Sequence, residues 1–114
     1  MKPKVLIATT CRWFPTARLA MALAKAGCVV QVVCPSRHPV VKTSLAVRPH
    51  SYRAFAPLAS FADAIRSTAP DLIIPGDDLA VRHLHDLHGR ERRKGKTGEL
   101  ICDLIERSLG PAEP

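Results

Sequence analysis

Four candidate strands alternate with segments of helical periodicity along the chain. They are KVLIATT at residues 4–10, CVVQVVCP at 28–35, VRPHSYRAF at 47–55 and DLIIP at 71–75. The first, second and fourth are nearly continuous in apolar residues, which is typical of parallel strands covered on both faces. The third alternates only weakly and contains Pro49, so we predict an edge strand there.

In the segments between these strands, apolar residues recur at helical spacing. ARLAMALAKAG follows Pro15, which suits the first turn of a helix, and places Leu19 and Leu23 with small alanines on one narrow face. Such a face lets a helix lie close to a sheet. A second helix is predicted over 58–69, where apolar residues recur at helical spacing. A short helix is expected near 39–45.

The last third of the chain predicts two helices separated by a basic segment. A helix starts at Asp77 and carries an apolar stripe that begins at Leu79 and includes Leu84. The polar segment GRERRKGKTG follows, and we predict a solvated basic linker at about 89–96. TGELICDLIERSLG then predicts a C-terminal helix at about 97–109, closed by a glycine and a proline.

The resulting order is β-α-β-α-β-α-β-α-α. Alternation of helices with apolar strands favours a parallel sheet covered by helices on both faces. The sequence therefore predicts an α/β fold with four strands, or five if one more pairs at an edge. At 114 residues we expect one domain spanning residues 1–114.

Composition and charge narrow the classes of partner. The chain is 46% hydrophobic and 24% charged, as in globular proteins, and no apolar run approaches the ~20 residues that cross a bilayer. The formal net charge is +7, but the basic segment lacks the aromatic residues of a base-stacking surface. We therefore expect no membrane contact, and nucleic acid is a disfavoured partner. None of the four cysteines forms a C-x-x-C pair, so we expect reduced thiols in the cytoplasm.

Several motifs of cofactor and metal sites are absent or broken. The turn after the first strand, TTCRWFPTA, contains no glycine, which argues against the dinucleotide motif G-x-G-x-x-G. Five residues separate Gly89 from Gly95, one too many for a phosphate-binding P-loop. His83, His85 and His88 scatter around a helix, so we predict a solvated face and no metal site.

The stretch PDLIIPGDD places two carboxylates where the fourth strand ends. In a parallel sheet, ligands bind outside the carboxyl ends of the strands. Gly76 would permit a sharp exit from the strand. One of Asp77 and Asp78 is expected to cap the following helix, and the other to face the crevice, where it would receive an ammonium or hydroxyl group. Arg12, in the turn after the first strand, is a further candidate contact.

Four segments together carry a resemblance to a known family. KVLIATT, ARLAMALAKAGCVVQVV, APDLIIPGDDLAVRHL and LICDLIERSLGPAE resemble the N-terminal, pre-ATP-grasp domain of ATP-grasp ligases. The resemblance implies a Rossmann-like, three-layer α/β/α fold with strand order 3-2-1-4. It also implies a domain that lends one wall to a site where an ATP-activated carboxylate meets a nucleophile. The substrate-side positions it implies are Gly76, Asp77, Asp78, Cys11 and Arg12, none of them catalytic.

The resemblance also sets expectations for cofactors and partners. In such ligases ATP and magnesium are bound by later lobes, which are not part of this chain, so no cofactor is expected in this domain. The expected partners are those lobes of a parent chain, a small-molecule substrate, or a second copy of the domain. We expect the isolated domain to be inactive. Two alternatives stay open: the N-terminal half of a two-domain glycosyltransferase, and a non-enzymatic module that binds a small molecule or nucleic acid.

Overall fold

A computed structural model describes residues 2–12, 14–39 and 49–110 of the chain. The elements run in the order β1 (Lys4–Ala8), α1 (Phe14–Lys25), β2 (Val29–Cys34), β3 (His50–Ser51), α2 (Pro57–Thr68), β4 (Leu72–Pro75), α3 (Asp78–Arg92), a 3-10 turn (Gly95–Gly98) and α4 (Glu99–Leu109). The predicted alternation of strands and helices is confirmed over the described residues, apart from the interval between β2 and β3.

The sheet is four-stranded and parallel throughout, in the order β3-β2-β1-β4. The predicted α/β class and strand order are confirmed. β1 lies between β2 and β4, so that Leu6 pairs with Gln31 on one side and with Ile73 on the other. The chain leaves β1 for β2 and β3 on one side and returns to β4 on the other. The switch point of the sheet therefore lies between the carboxyl ends of β1 and β4.

Helices cover both faces of this sheet, which gives the three layers of a Rossmann-like fold. Alternate residues of β1 face opposite ways: Leu6 packs in one core cluster with Phe61 of α2 and Ile105 of α4, together with α3. Val5 and Ile7 pack in the other cluster with the alanines of α1. This alternation places α2, α3 and α4 on one side and α1 on the other.

Three apolar positions of the predicted helices do not reach the core. Leu19 of α1, Leu79 of α3 and Leu100 of α4, which was expected to face inward, are exposed, at 36%, 44% and 61%. In α1 the small residues Ala17 and Ala20 contact the sheet instead, and both are buried. The narrow face predicted for α1 is therefore made by alanines.

α4 closes the outer edge of β4. The hydroxyl of Ser108 accepts a hydrogen bond from the Ile73 amide at 2.9 Å, and Arg107 donates to the Asp71 carbonyl at 2.9 Å. Pro75 follows on the same edge, where its missing N–H costs no ladder bond. These side chains occupy the positions that another strand would need, and the described residues contain no fifth strand.

Two sequence-based boundaries change, at the third strand and in the basic segment. The described part of the predicted strand at 47–55 forms only the two-residue β3. Most of the short helix expected near 39–45 lies outside the described residues. The basic segment at 89–96 is not a linker along its whole length, because α3 continues through Arg92 and the 3-10 turn begins at Gly95. Among the described residues, no helix combines the length and hydropathy that a membrane span requires.

Candidate functional site

The Asp77 carboxylate connects the tip of β1 to the start of α3. Its Oδ1 accepts hydrogen bonds from the Thr10 hydroxyl and the Ala80 amide, both at 2.8 Å. Its Oδ2 accepts from the Thr9 hydroxyl at 2.8 Å and the Thr10 amide at 2.7 Å. The Cys11 thiol lies 3.7 Å from Oδ2. Asp77 is thus the helix cap predicted for one of the two acids, and it also fixes the loop that follows β1.

These hydrogen bonds keep Asp77 ionised. Burial alone would raise the pKa of this carboxyl, but the Thr10 amide, the Ala80 amide and the threonine hydroxyls together outweigh burial and lower the pKa. Hydrogen bonds that favour the charged form act in this direction. Because both oxygens already accept two strong hydrogen bonds, Asp77 has little capacity left to act as a base or to receive a ligand.

Gly76 is needed here for space. A β-carbon at this position would lie 3.1 Å from the Thr9 β-carbon and 3.2 Å from the Thr16 hydroxyl. Its φ is not among the positive values found at other glycines. The chain bends at Gly76 as it leaves β4, as predicted, and the missing side chain also lets the end of β4 approach β1 and α1 closely.

Asp78 is the acid that faces outward. It is exposed, at the first position of α3, and borders an open depression of about 390 Å³. Residues 75–78 and Val81 line this depression. An exposed carboxylate at the carboxyl edge of a parallel sheet can accept hydrogen bonds from an ammonium or hydroxyl group.

A second depression, of about 450 Å³, lies on the other side of the β1 tip. It is lined by residues 10–12, 35–36, Tyr52 and Ala54, from the loops that follow β1, β2 and β3. Cys11 and Arg12 are both exposed there. The structure thus brings all five predicted positions to one edge of the sheet but divides them between two depressions, with Asp77 between them.

Sequence reasoning missed a tyrosine–histidine pair at this edge. The Tyr52 hydroxyl and His83 Nε2 lie 3.1 Å apart, and the two rings stack with centroids 6.0 Å apart. Phe61 packs edge-on against His83. Burial raises the pKa of Tyr52, and the negative charge of Asp77 raises it further. The phenol therefore stays protonated and can donate a hydrogen bond.

The histidine-rich face of α3 is not uniformly solvated. His85 is exposed as predicted, but His88 is buried and its Nε2 lies 3.0 Å from a Glu106 carboxylate oxygen. His83 is half-buried in the pair just described. Within the described ranges, no three histidine, cysteine or acidic side chains are grouped so that they could hold a metal ion.

The basic segment conceals a buried acid. Glu91 is fully buried and its carboxylate accepts from Arg66 at 2.9 Å, from Arg90 at 3.3 Å and from Lys94 at 2.7 Å. A solvated loop would not hold a carboxylate in this way, so the expectation for residues 90–94 is corrected. The periodic signal was present, because Leu84, Leu87 and Glu91 share one face of α3.

No protein-family model, no curated protein and no solved structure matches this chain.

Proposed function

We propose that this chain is the substrate-side domain of an ATP-grasp type ligase that joins a carboxylate to an amine or a thiol. One observation carries the proposal: the exposed Asp78 carboxylate borders an open depression at the carboxyl end of β4, beside the switch point of a 3-2-1-4 parallel sheet. Ligands of open α/β sheets bind at this place. The domain contributes binding and no catalytic residue.

The neighbouring residues support a binding role for Asp78. Asp77 accepts three hydrogen bonds from the β1 loop and one from the Ala80 amide of α3, so the backbone that carries Asp78 is fixed before a ligand arrives. Because this backbone is already ordered, less conformational entropy is lost when a ligand binds. A charge-assisted hydrogen bond from a substrate ammonium to Asp78 would orient the nucleophilic nitrogen towards the activated carboxylate.

The proposal assigns ATP and magnesium to further lobes of a parent chain. The turn after β1 has no glycine that would let the backbone approach a pyrophosphate, and it is already occupied in holding Asp77. The same turn disfavours the glycosyltransferase alternative, whose first turn is usually glycine-rich. The isolated chain should therefore bind no nucleotide.

The first test is calorimetric titration of this chain with magnesium and ATP. We expect no saturable heat. Micromolar affinity for the nucleotide would place the ATP site in this domain and would overturn the proposal.

The second test uses the full genomic reading frame that contains this chain. Expressed as one protein, it should release ADP and phosphate only when both a carboxylate and an amine or thiol substrate are present. Asp78→Asn should raise KM for the nucleophile about tenfold, the effect of one lost charge-assisted hydrogen bond. Asp86 is an exposed acid of the same helix, and Asp86→Asn should leave this KM unchanged. A reading frame that encodes no nucleotide-binding region would count against the proposal. An equal change of KM in the two variants would also count against it.

A further inference from the structure

The depression on the β2 side of Asp77 has a charge opposite to that of the Asp78 side. The 450 Å³ space is large enough for a small molecule. A smaller depression of about 180 Å³ adjoins it, lined by residues 34–37 and 49–51, and the two share Pro35 and Ser36. Among the described residues, no carboxylate lines either one, whereas Arg12 lines the first and Arg37 the second. We call the two together the β2-tip depression.

Arg12 is held in place at this depression. Its Nε donates a hydrogen bond to the Ser36 carbonyl at 2.5 Å, although the side chain is exposed. A guanidinium oriented by one such bond loses less freedom when it binds a ligand. The positive charge of Arg12 also acts on a neighbouring residue. Burial lowers the pKa of His38, and the charge of Arg12 lowers this pKa further.

Arg37 has an unusual backbone conformation. Its φ is 63°, in the left-handed region that is unfavourable for a non-glycine residue. Among the described residues, the other non-glycine residue with positive φ is Ala69, whose amide ends α2 by donating to the Ile65 carbonyl at 2.8 Å. That is an ordinary helix C-cap. Arg37, in contrast, is not a helix cap. Its left-handed backbone places an exposed arginine beside Ser36.

A polar donor completes the depression. Tyr52 lines its wall with the hydroxyl paired to His83, and Arg12 is the charged side chain among the described residues that line the larger depression. Two guanidinium groups and a phenol in one concave surface match the recognition of planar or tetrahedral anions.

We propose that the β2-tip depression binds the anionic group, a carboxylate or a phosphate, of a small-molecule ligand through Arg12 and Arg37. The inference rests on the proposed function in one respect only, which is that this ligand would be the carboxylate substrate of the ligase or its phosphorylated form. The nucleophile would then approach from the Asp78 side of the same edge.

The experiment is a titration of this chain, without nucleotide, with inorganic phosphate and separately with succinate at constant ionic strength. Binding is followed by amide chemical shifts in ¹H–¹⁵N spectra. We expect saturable shifts at residues 10–12, 36–37 and 52, and the anion that binds more tightly identifies the preferred group. If neither anion gives a saturable shift at these residues, the inference is wrong.

Three variants make the test specific. Arg12→Gln should weaken binding about tenfold, as expected for one charge-assisted hydrogen bond. Arg37→Gly should weaken it similarly while raising the melting temperature, because glycine adopts positive φ without strain. Arg92→Gln, at the end of α3, should leave both anion affinities unchanged. An equal loss in all three variants would indicate general attraction to a basic protein and would overturn the assignment.

Failure of this inference and failure of the proposed function give different results. Anion binding is measured on the present chain, whereas ADP release is measured on the longer protein. Anion binding without ligase activity would retain the site and reject the enzyme class. Ligase activity that is unaffected by Arg12→Gln would retain the enzyme class and reject the site.

Discussion

Thr10 holds the Asp77 carboxylate from both sides, because its amide donates to Oδ2 at 2.7 Å and its hydroxyl to Oδ1 at 2.8 Å. The two residues lie 67 positions apart in the sequence and join the ends of adjacent parallel strands. This contact closes the switch point of the sheet. It separates the acidic depression beside Asp78 from the basic one beside Arg12.

Asp77→Asn should destabilise the fold by about 2 to 3 kcal/mol, since hydrogen bonds to an ionised group are lost and an amide directs its own hydrogens at the Thr10 donors. Urea unfolding followed by circular dichroism measures this change. The matched control is Asp78→Asn, which should cost less than about 1 kcal/mol because Asp78 is exposed. Similar losses for both variants would contradict the structural role of Asp77.

Stability at acid pH should depend on Glu91. Burial alone would raise the pKa of this carboxyl, but the hydrogen bond and charge of Lys94, followed by the charge of Arg66, outweigh burial and lower the pKa. A carboxylate whose pKa is lower in the folded state stabilises the fold above its unfolded pKa of about 4.3. This stabilisation is lost as the pH falls through the folded pKa.

Glu91→Gln should therefore be less stable than the parent chain at neutral pH by about 1 to 3 kcal/mol, and the difference should shrink as the pH falls below about 4. Urea unfolding at several pH values measures the difference. Glu99→Gln removes an exposed acid and serves as control. A difference that does not change with pH would show that the charge of Glu91 is not what stabilises this cluster.

The thiols should differ sharply in reactivity. All four cysteines are free; Cys11 is exposed, whereas Cys34 is buried and burial raises its pKa to about 11. Since the thiolate is the reactive form, Ellman's reagent at about pH 8 should modify Cys11 first and Cys34 only on unfolding. Cys11→Ser should abolish the fast phase and Cys34→Ala should retain it. A fast phase that survives Cys11→Ser would be inconsistent with the structure.

Local sequence signals were sufficient for the sheet and for the helix cap. Apolar runs separated by helical spacing predicted the parallel strands, and an acid directly after Gly76 predicted the cap that Asp77 forms. Both depend on residues near one another in the chain. The strand order could not come from such local patterns and was expected only from the family resemblance.

The remaining features depend on contacts between distant segments. The pairing of Tyr52 with His83 joins the residue after β3 to α3, and β3 is too short to give a strand pattern of its own. Glu91 sits among four cationic neighbours in sequence, at 90 and 92–94, so composition indicated solvent exposure. Only the helical period that aligns it with Leu84 and Leu87 could have indicated burial.

The connection between α3 and α4 should depend on the absence of a side chain at position 98. A β-carbon there would lie 2.6 Å from the carbonyl carbon of Glu91, which is rigid helix backbone. Gly98→Ala should therefore destabilise the fold by about 1 to 3 kcal/mol, because α4 must shift away from α3. Gly89 of α3 offers a control, since a β-carbon there would meet no atom within 4 Å. Gly89→Ala should stabilise the chain by about 1 kcal/mol through helix propensity. Thermal and urea unfolding of the two variants compare them directly, and a neutral Gly98→Ala would show that the α3–α4 packing is looser than the structure indicates.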